Sequence, residues 1–236
     1  MHPYISEFPS KMFYKGQVID GDNVLARQLP RDIQVLDNFS QHSVFLDLIN
    51  SKETEAAVSK SNVGEAELTV SLVKALLAKA GKSLASFGGE IGVVTPYKAQ
   101  VTALKEMFVK KLEKNKEKLK ESIQISSVDS FQGSEKDIMI FNAVRSNNHE
   151  NLLQSLGFCA DERRLNVAIT RPRHFMFIIG NSGTLAYNDM WHRLIDHHKM
   201  RPGCYYRLPK HAYSEQKLCS MLCAPQTEAD RSGVIP

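Results

Sequence analysis

The stretch Ile123-Gln124-Ile125-Ser126-Ser127-Val128-Asp129-Ser130-Phe131-Gln132-Gly133-Ser134-Glu135-Lys136-Asp137-Ile138-Met139-Ile140-Phe141-Asn142-Ala143 sets two short apolar runs on either side of a hydroxyl-rich, glycine-containing loop. Runs this short, bounded by turn residues, read as buried strands of a parallel sheet, here Ile123–Val128 and Asp137–Ala143. Three similar runs lie elsewhere, at Val44–Leu48, Ile91–Thr95 and Phe175–Ile179. Between the first two of these the spacing predicts a helix over Asn62–Lys79, with Asn62 as its cap, Glu65 three residues on, and Leu68, Leu72, Ala75, Leu76 and Lys79 on one face; Gly81 ends it. A second helix is expected from about Lys98 to Lys120, with Val101, Leu104, Phe108, Leu112 and Leu119 as its apolar stripe. Strand and helix alternating at this spacing imply right-handed β-α-β crossovers, hence an α/β fold whose parallel sheet carries helices on both faces. Ligands bind such sheets at the carboxyl ends of the strands, so the loops there are where chemistry is expected. Residues 206–236 lose periodicity and are expected to form a flexible tail beyond a domain of residues 1–205.

The 236 residues, 42% hydrophobic and 24% charged, are ordinary globular usage and enough to bury a sizeable core. A net charge of +4 permits a nucleic-acid partner without arguing for one. No run approaches the ~18 apolar residues of a membrane helix, and the N-terminus lacks the basic-then-apolar order of a secretory signal, so a membrane protein and a simple export route are excluded. Four cysteines are too few for a disulfide scaffold in a chain this long, which favours a reducing compartment, nucleus or cytosol. Cys204, His211, Cys219 and Cys223 do not match the spacing of a closed zinc site, and no metal ligands are assigned. Gly81-Lys82-Ser83 spells the end of a P-loop, but Leu76 stands where the first glycine is required, and this glycine closes a helix instead of opening one. The Asp161-Glu162 pair opens a helix and reads as its cap, not as a magnesium site. The lysines from Lys110 to Lys120 interleave with Glu113 and Glu117 as a solvated face, and His197-His198 reads as a surface polar pair.

Three segments carry weight. Ser126–Asp137 links two strands through hydroxyls and Gly133, where a backbone can approach phosphate or ribose and Glu135 can accept from sugar hydroxyls. Asp161–Arg171 reads as a capped helix with apolar Leu165, Ala168 and Ile169; Arg164 and Arg171, seven apart, are expected on a similar face, where guanidinium groups can meet polyphosphate. Thr95-Pro96-Tyr97-Lys98-Ala99-Gln100 ends a strand and starts a helix, which would offer Thr95 and helical N–H groups to a nucleic-acid phosphate.

Together these segments resemble motifs IV, V and VI of superfamily-1 helicases of the nonsense-mediated-decay-helicase type, in the order of that family's second RecA-like domain. Val128–Asp137 and Arg163–Arg171 are long, nearly complete matches, and Met1–Ser10 is similar to the end of the family's Q-Y-R-M-H-P motif. Gly157-Phe158 and Trp191–Asp196 are most similar to the senataxin branch. The resemblance spans about Met1 to Cys204 and implies a RecA-like parallel sheet, a P-loop NTPase-type fold lacking the P-loop itself. It implies Arg164 as a finger on the γ-phosphoryl of ATP with Arg171 beside it, Gln132, Gly133 and Glu135 along the phosphate and ribose edge, and Thr95, Pro96, Ser127 and Arg145 on the nucleic-acid backbone. ATP and Mg²⁺ would bind only with a first RecA-like domain as partner. The other partner would be single-stranded RNA or DNA or, by the senataxin likeness, an RNA–DNA hybrid in the nucleus. The chain departs from the pattern in lacking the residues before Met-His-Pro and in having Pro172 where alanine is common. The alternative is a non-catalytic nucleic-acid or protein-binding module that keeps the fold.

Overall fold

The computed structural model describes residues 1–25, 36, 41–56, 59–81, 90–112, 121–147, 156–209 and 214–223. In chain order its elements are α1 (Pro3–Phe13), α2 (Asp22–Leu25), β1 (Ser43–Leu48), β2 (Thr54–Ala56), β3 (Ser59–Ser61), α3 (Val63–Ala80), β4 (Ile91–Thr95), α4 (Lys98–Lys111), β5 (Ile123–Ser127), β6 (Lys136–Asn142), α5 (Glu162–Ile169), β7 (Pro172–Gly180), α6 (Ser182–Leu185), α7 (Asp189–Lys199), β8 (Tyr205–Leu208) and α8 (Glu215–Cys223). Six strands form one sheet in the order β5-β4-β6-β7-β1-β8, every neighbouring pair parallel. It is the parallel α/β sheet that the strand and helix spacing predicted and the RecA-like sheet that the resemblance implied, and all of its carboxyl ends lie on one edge.

The period-two pleat divides the core into two layers. Ile138 and Ile140 of β6, with Phe175, Phe177 and Ile179 of β7, meet α3 and α4 through Leu72, Leu76, Leu104 and Phe108. Met139, Phe141, Met176 and Ile178 point the other way, onto Phe8 of α1, Leu165 and Ile169 of α5, and Trp191 and Leu194 of α7. Both helices foreseen around β4 form. Asn62 caps α3 by accepting from Glu65 N at 3.2 Å, and Gly81 ends it at φ +61, a left-handed conformation that favours glycine. The described part of α4 stops at Lys111; Leu119 and the lysines from 114 onward lie outside the described residues.

Two expectations are corrected. The boundary at 205 cuts through β8, which pairs with β1 as an edge strand, and α8 buries Leu218, Met221 and Leu222 in the α3 layer. A four-residue strand and a nine-residue helix are too short to build a periodic signal; residues 224–236 of the expected tail lie outside the described residues. His197-His198 is not a surface pair. His198 is fully buried with its ring between Ser43 Oγ at 2.9 Å and Leu194 O at 2.8 Å, and burial brings its pKa down to about 4. The polar β2–β3 hairpin was not foreseen, having no apolar alternation to announce it.

Candidate nucleotide and nucleic-acid site

The loop between β5 and β6 runs from the carboxyl end of one parallel strand to the amino end of the other, past β4, and is held at its start. Val128 N donates to Thr95 O at 3.1 Å, and Ser127 Oγ accepts from Ser130 N at 3.3 Å. Phe131 is fully buried against Gly92, where an added Cβ would come within 2.9 Å of its ring. Gly133 sits at φ +83, a conformation other residues rarely adopt, so the loop turns there; Gln132, Gly133 and Glu135 are exposed along it. Glu135 makes a long ion pair to Arg173 at 3.5 Å.

The arginine helix meets the start of this loop at Asp129. Asp161 caps α5 by accepting from Arg163 N at 3.0 Å and Arg164 N at 3.2 Å, while Leu165, Ala168 and Ile169 anchor the opposite side in the core. The anchored side dictates where Arg164 emerges. Its guanidinium donates through Nε to Asp129 Oδ1 at 2.9 Å and through a terminal nitrogen to Oδ2 at 3.2 Å, lies 4.7 Å above the Phe158 ring, and keeps 31% of its side chain exposed. The bond to Asp129 holds its pKa above the ordinary arginine value. Phe158 rides on the short turn Gly157–Ala160, which is pinned inward by Cys159 Sγ donating to Ala143 O at 3.0 Å and by Trp191 Nε1 donating to Cys159 O at 2.7 Å.

Arg171 lies beyond the end of the helix that carries Arg164. The helix ends at Ile169, and the Arg171 guanidinium folds back to cap it, donating to Val167 O at 3.0 Å and Thr170 Oγ1 at 3.0 Å. Pro172 opens β7, a position where a strand tolerates the missing N–H.

The expected nucleic-acid set splits. Pro96 and Ser127 are partly exposed at the ends of β4 and β5. Thr95 is fully buried, its hydroxyl accepting from Tyr97 N at 3.4 Å. Arg145 is 4% exposed and already committed: Nε donates to Glu53 Oε2 at 2.9 Å, and NH1 donates to Tyr97 OH at 3.2 Å, which donates to Leu156 O at 3.1 Å. Neither reaches a ligand on the surface in this structure. The first turn of α4 is also engaged, Ala99 N donating to Ser59 Oγ at 3.1 Å.

Beneath these ends lies a polar knot that sequence reading missed. Gln100 donates to Asn142 Oδ1 at 3.0 Å and accepts from Asn62 N at 2.7 Å; Asn142 donates to Thr69 Oγ1 at 3.0 Å; Glu65 Oε2 accepts from Val144 N at 2.9 Å. Full burial raises the Glu65 pKa well above the ordinary carboxylate value, against the pull of the Val144 N–H and with a push from Glu53. Val144 itself stands at φ +71, a strained conformation for a β-branched residue that this knot holds in place. Asn62 and Glu65 were visible as a helix cap and its partner and Gln100 as part of a helix start, but nothing in the sequence pairs residues this far apart.

The fit to ATP is partial and one-sided. Arg164 and the Gln132–Glu135 loop offer donors and acceptors for phosphate and ribose, whereas among the described residues no group of His, Cys, Asp or Glu could hold a metal ion.

The protein-family description "AAA domain" matches residues 1–183. Helicase sen1 of Schizosaccharomyces pombe is 41% identical over 196 residues, 83% of this chain and 11% of that protein. Proteins named regulator of nonsense transcripts 1 are 37% identical in Dictyostelium discoideum, over 84% of this chain and 14% of that protein, and 37% identical in Caenorhabditis elegans, over 87% and 18%. The chain thus spans less than a fifth of the length of these relatives.

Proposed function

The chain belongs to the AAA-domain family of superfamily-1 helicases of the nonsense-mediated-decay-helicase and senataxin type, and on that premise we propose that it forms the second RecA-like half of an ATP-driven motor on single-stranded nucleic acid. Arg164 carries the reading. It pairs with Asp129 at the start of the loop that turns at Gly133, lies over the Phe158 ring, and keeps 31% of its side chain exposed. Docked against a P-loop-bearing first domain, it would reach the γ-phosphoryl of ATP, whose hydrolysis supplies the energy for movement. Magnesium would be held by that first domain. Asp129 must release the guanidinium for this contact, and Phe158 keeps the group flat and aimed while it does so. Gln132, Gly133 and Glu135 would line the phosphate and ribose edge, with Arg171 ordering the helix end behind them. Pro96 and Ser127 would meet the nucleic-acid backbone, while Thr95 and Arg145 hold Tyr97 and the loop around it in shape.

The test joins the chain to a first RecA-like domain and compares parent with Arg164→Ala at saturating RNA, measuring kcat beside a thermal melt. An arginine finger is worth about 10³ to 10⁵ in rate, roughly 4 to 7 kcal/mol at 1.36 kcal/mol per tenfold, and Arg164→Lys should recover little because lysine lacks the planar two-point contact. A variant that melts normally and turns over within about threefold of the parent removes the finger and favours a non-catalytic module. The chain without a P-loop partner should release no phosphate from ATP.

A further inference from the structure

A depression of about 450 Å³ opens on the carboxyl edge of the sheet where β1 and β7 end, on the side of the fold away from Arg164's rim. Its floor is completed by hydrogen bonds that need no ligand. Ser182 donates through N and Oγ to Asp47 at 2.7 and 2.8 Å, and Tyr205 OH donates to the same carboxylate at 2.6 Å. Asn181 donates to Ser146 Oγ at 2.9 Å and accepts from Thr184 N at 3.2 Å, and Thr184 Oγ1 donates to Asn147 O at 3.0 Å. The shape is therefore set in advance.

Two large side chains stand at its border. Tyr187 keeps 55% of its surface exposed although its neighbour Leu185 is fully buried, and Arg207 is exposed with Nε 3.6 Å from Asp47. A flat ring, a guanidinium and an amide-lined hollow are the elements by which proteins hold an unpaired base and the phosphate next to it. The volume lies within the range of small-molecule pockets. The nearby carboxylates do not oppose a phosphate. Asp47 is buried under its donors, and Glu53 is held by Arg145 Nε and Ser146 N at 2.9 and 2.8 Å, contacts that together outweigh its desolvation and keep its pKa below the ordinary value. Because the sheet is parallel, this hollow shares an edge with Pro96 and Ser127; from β4 to β1 is three strand steps, about 14 Å at ~4.8 Å each. One extended strand covers that distance.

We propose that this hollow is a nucleotide pocket for single-stranded nucleic acid, in which Tyr187 stacks on a base and Arg207 holds an adjoining phosphate. It rests on the strand-binding reading above and extends the footprint from β4 and β5 across to β8.

Fluorescence anisotropy of the purified chain with a labelled short oligouridine, at two salt concentrations, tests it. Tyr187→Ala should weaken binding at least about fivefold while Tyr187→Phe stays near the parent, and Arg207→Gln should lower the salt slope by about one. Both side chains are exposed, so melts should be unchanged. An oligonucleotide carrying one 5-iodouridine should crosslink to the peptide containing Tyr187. Parent binding with both variants unaffected overturns the pocket and leaves the strand-binding reading standing. No binding by the parent overturns both, and equal losses for Tyr187→Phe and Tyr187→Ala overturn the stacking.

Discussion

Arg145 and Arg164 make the same contact in opposite surroundings. Each places Nε 2.9 Å from a carboxylate oxygen, Glu53 in one case and Asp129 in the other, yet the Arg145–Glu53 side chains are 4% and 7% exposed and the Arg164–Asp129 side chains 31% and 65%. A buried pair is a strut, since removing either member strands a charge in the interior. A half-exposed pair is a clasp, since water can take over either member at little cost. The carboxyl edge of this sheet therefore has a rigid underside, from Asn62 to Arg145, and an adjustable rim around Asp129 and Arg164.

Arg145→Met breaks this comparison most forcefully. Glu53 would keep Ser146 N and Asn147 as donors and the Lys60 ammonium at 3.4 Å, but lose its buried neighbour Arg145, and Tyr97 would lose a donor to its hydroxyl. Breaking a buried pair costs about 3 to 5 kcal/mol, read by urea unfolding. Arg145→Met with Glu53→Gln should recover part of that loss, because the buried carboxylate is then replaced by a neutral amide and the partly exposed Lys60 keeps Glu55 at 2.8 Å. A single-variant cost under about 1 kcal/mol would mean the pair is solvated like the other one.

His198 sharpens the buried side of the comparison through pH. Its folded pKa is lowered to about 4 chiefly by burial, with His197 and Arg201 adding repulsion and the Leu194 carbonyl opposing. Between about pH 4 and 6.5 the unfolded chain binds a proton at this residue that the folded chain refuses, so its contribution is full above pH 6.5 and is lost as pH falls toward 4. The loss from pH 7 to 5 comes to about 2 kcal/mol. His198→Gln should unfold with a shallower pH dependence over that window, whatever its stability at pH 7. An unchanged slope would mean the ring is not held neutral.

The strands and their helices were legible because a parallel sheet buried on both faces leaves near-continuous apolar runs, as at Ile138–Phe141, and because Asn62, Gly81 and Asp161 punctuate helices by local bonds. Arg164 was legible through the cap and the apolar face that orient it. The engagement of Arg171 was not legible, because its spacing from Arg164 says nothing of a helix that stops after Ile169 or of a guanidinium that turns back onto Val167 O. Thr95 and Arg145 stand at strand ends, where sequence can mark a position but not its burial; that depends on Glu53, Tyr97 and Leu156 arriving from elsewhere. The edge strand β8 and helix α8 stayed invisible because short elements draw their stability from contacts with β1 and α3.

The smallest expected effect tests the clasp. Arg164→Ala in the isolated chain removes the paired bonds to Asp129, the 3.5 Å contact to Asp161 and the stacking on Phe158. An exposed pair contributes at most ~1 kcal/mol, and a cation over a ring at an exposed site about 0.5 to 1. These overlap, since one guanidinium orientation serves both. The cap from Asp161 to the backbone and the anchoring of Leu165, Ala168 and Ile169 do not involve the lost group. The melt should therefore shift by only about 2 to 4 °C, and Asp129→Asn should shift it no more. In 1 M salt, where the screening length falls to about 3 Å, the difference between parent and variant should shrink. A loss above about 2 kcal/mol that is indifferent to salt would make Arg164 a strut like Arg145. A guanidinium so fixed could not be given up by Asp129 to a phosphate, and the adjustable rim would have to be sought elsewhere on the edge.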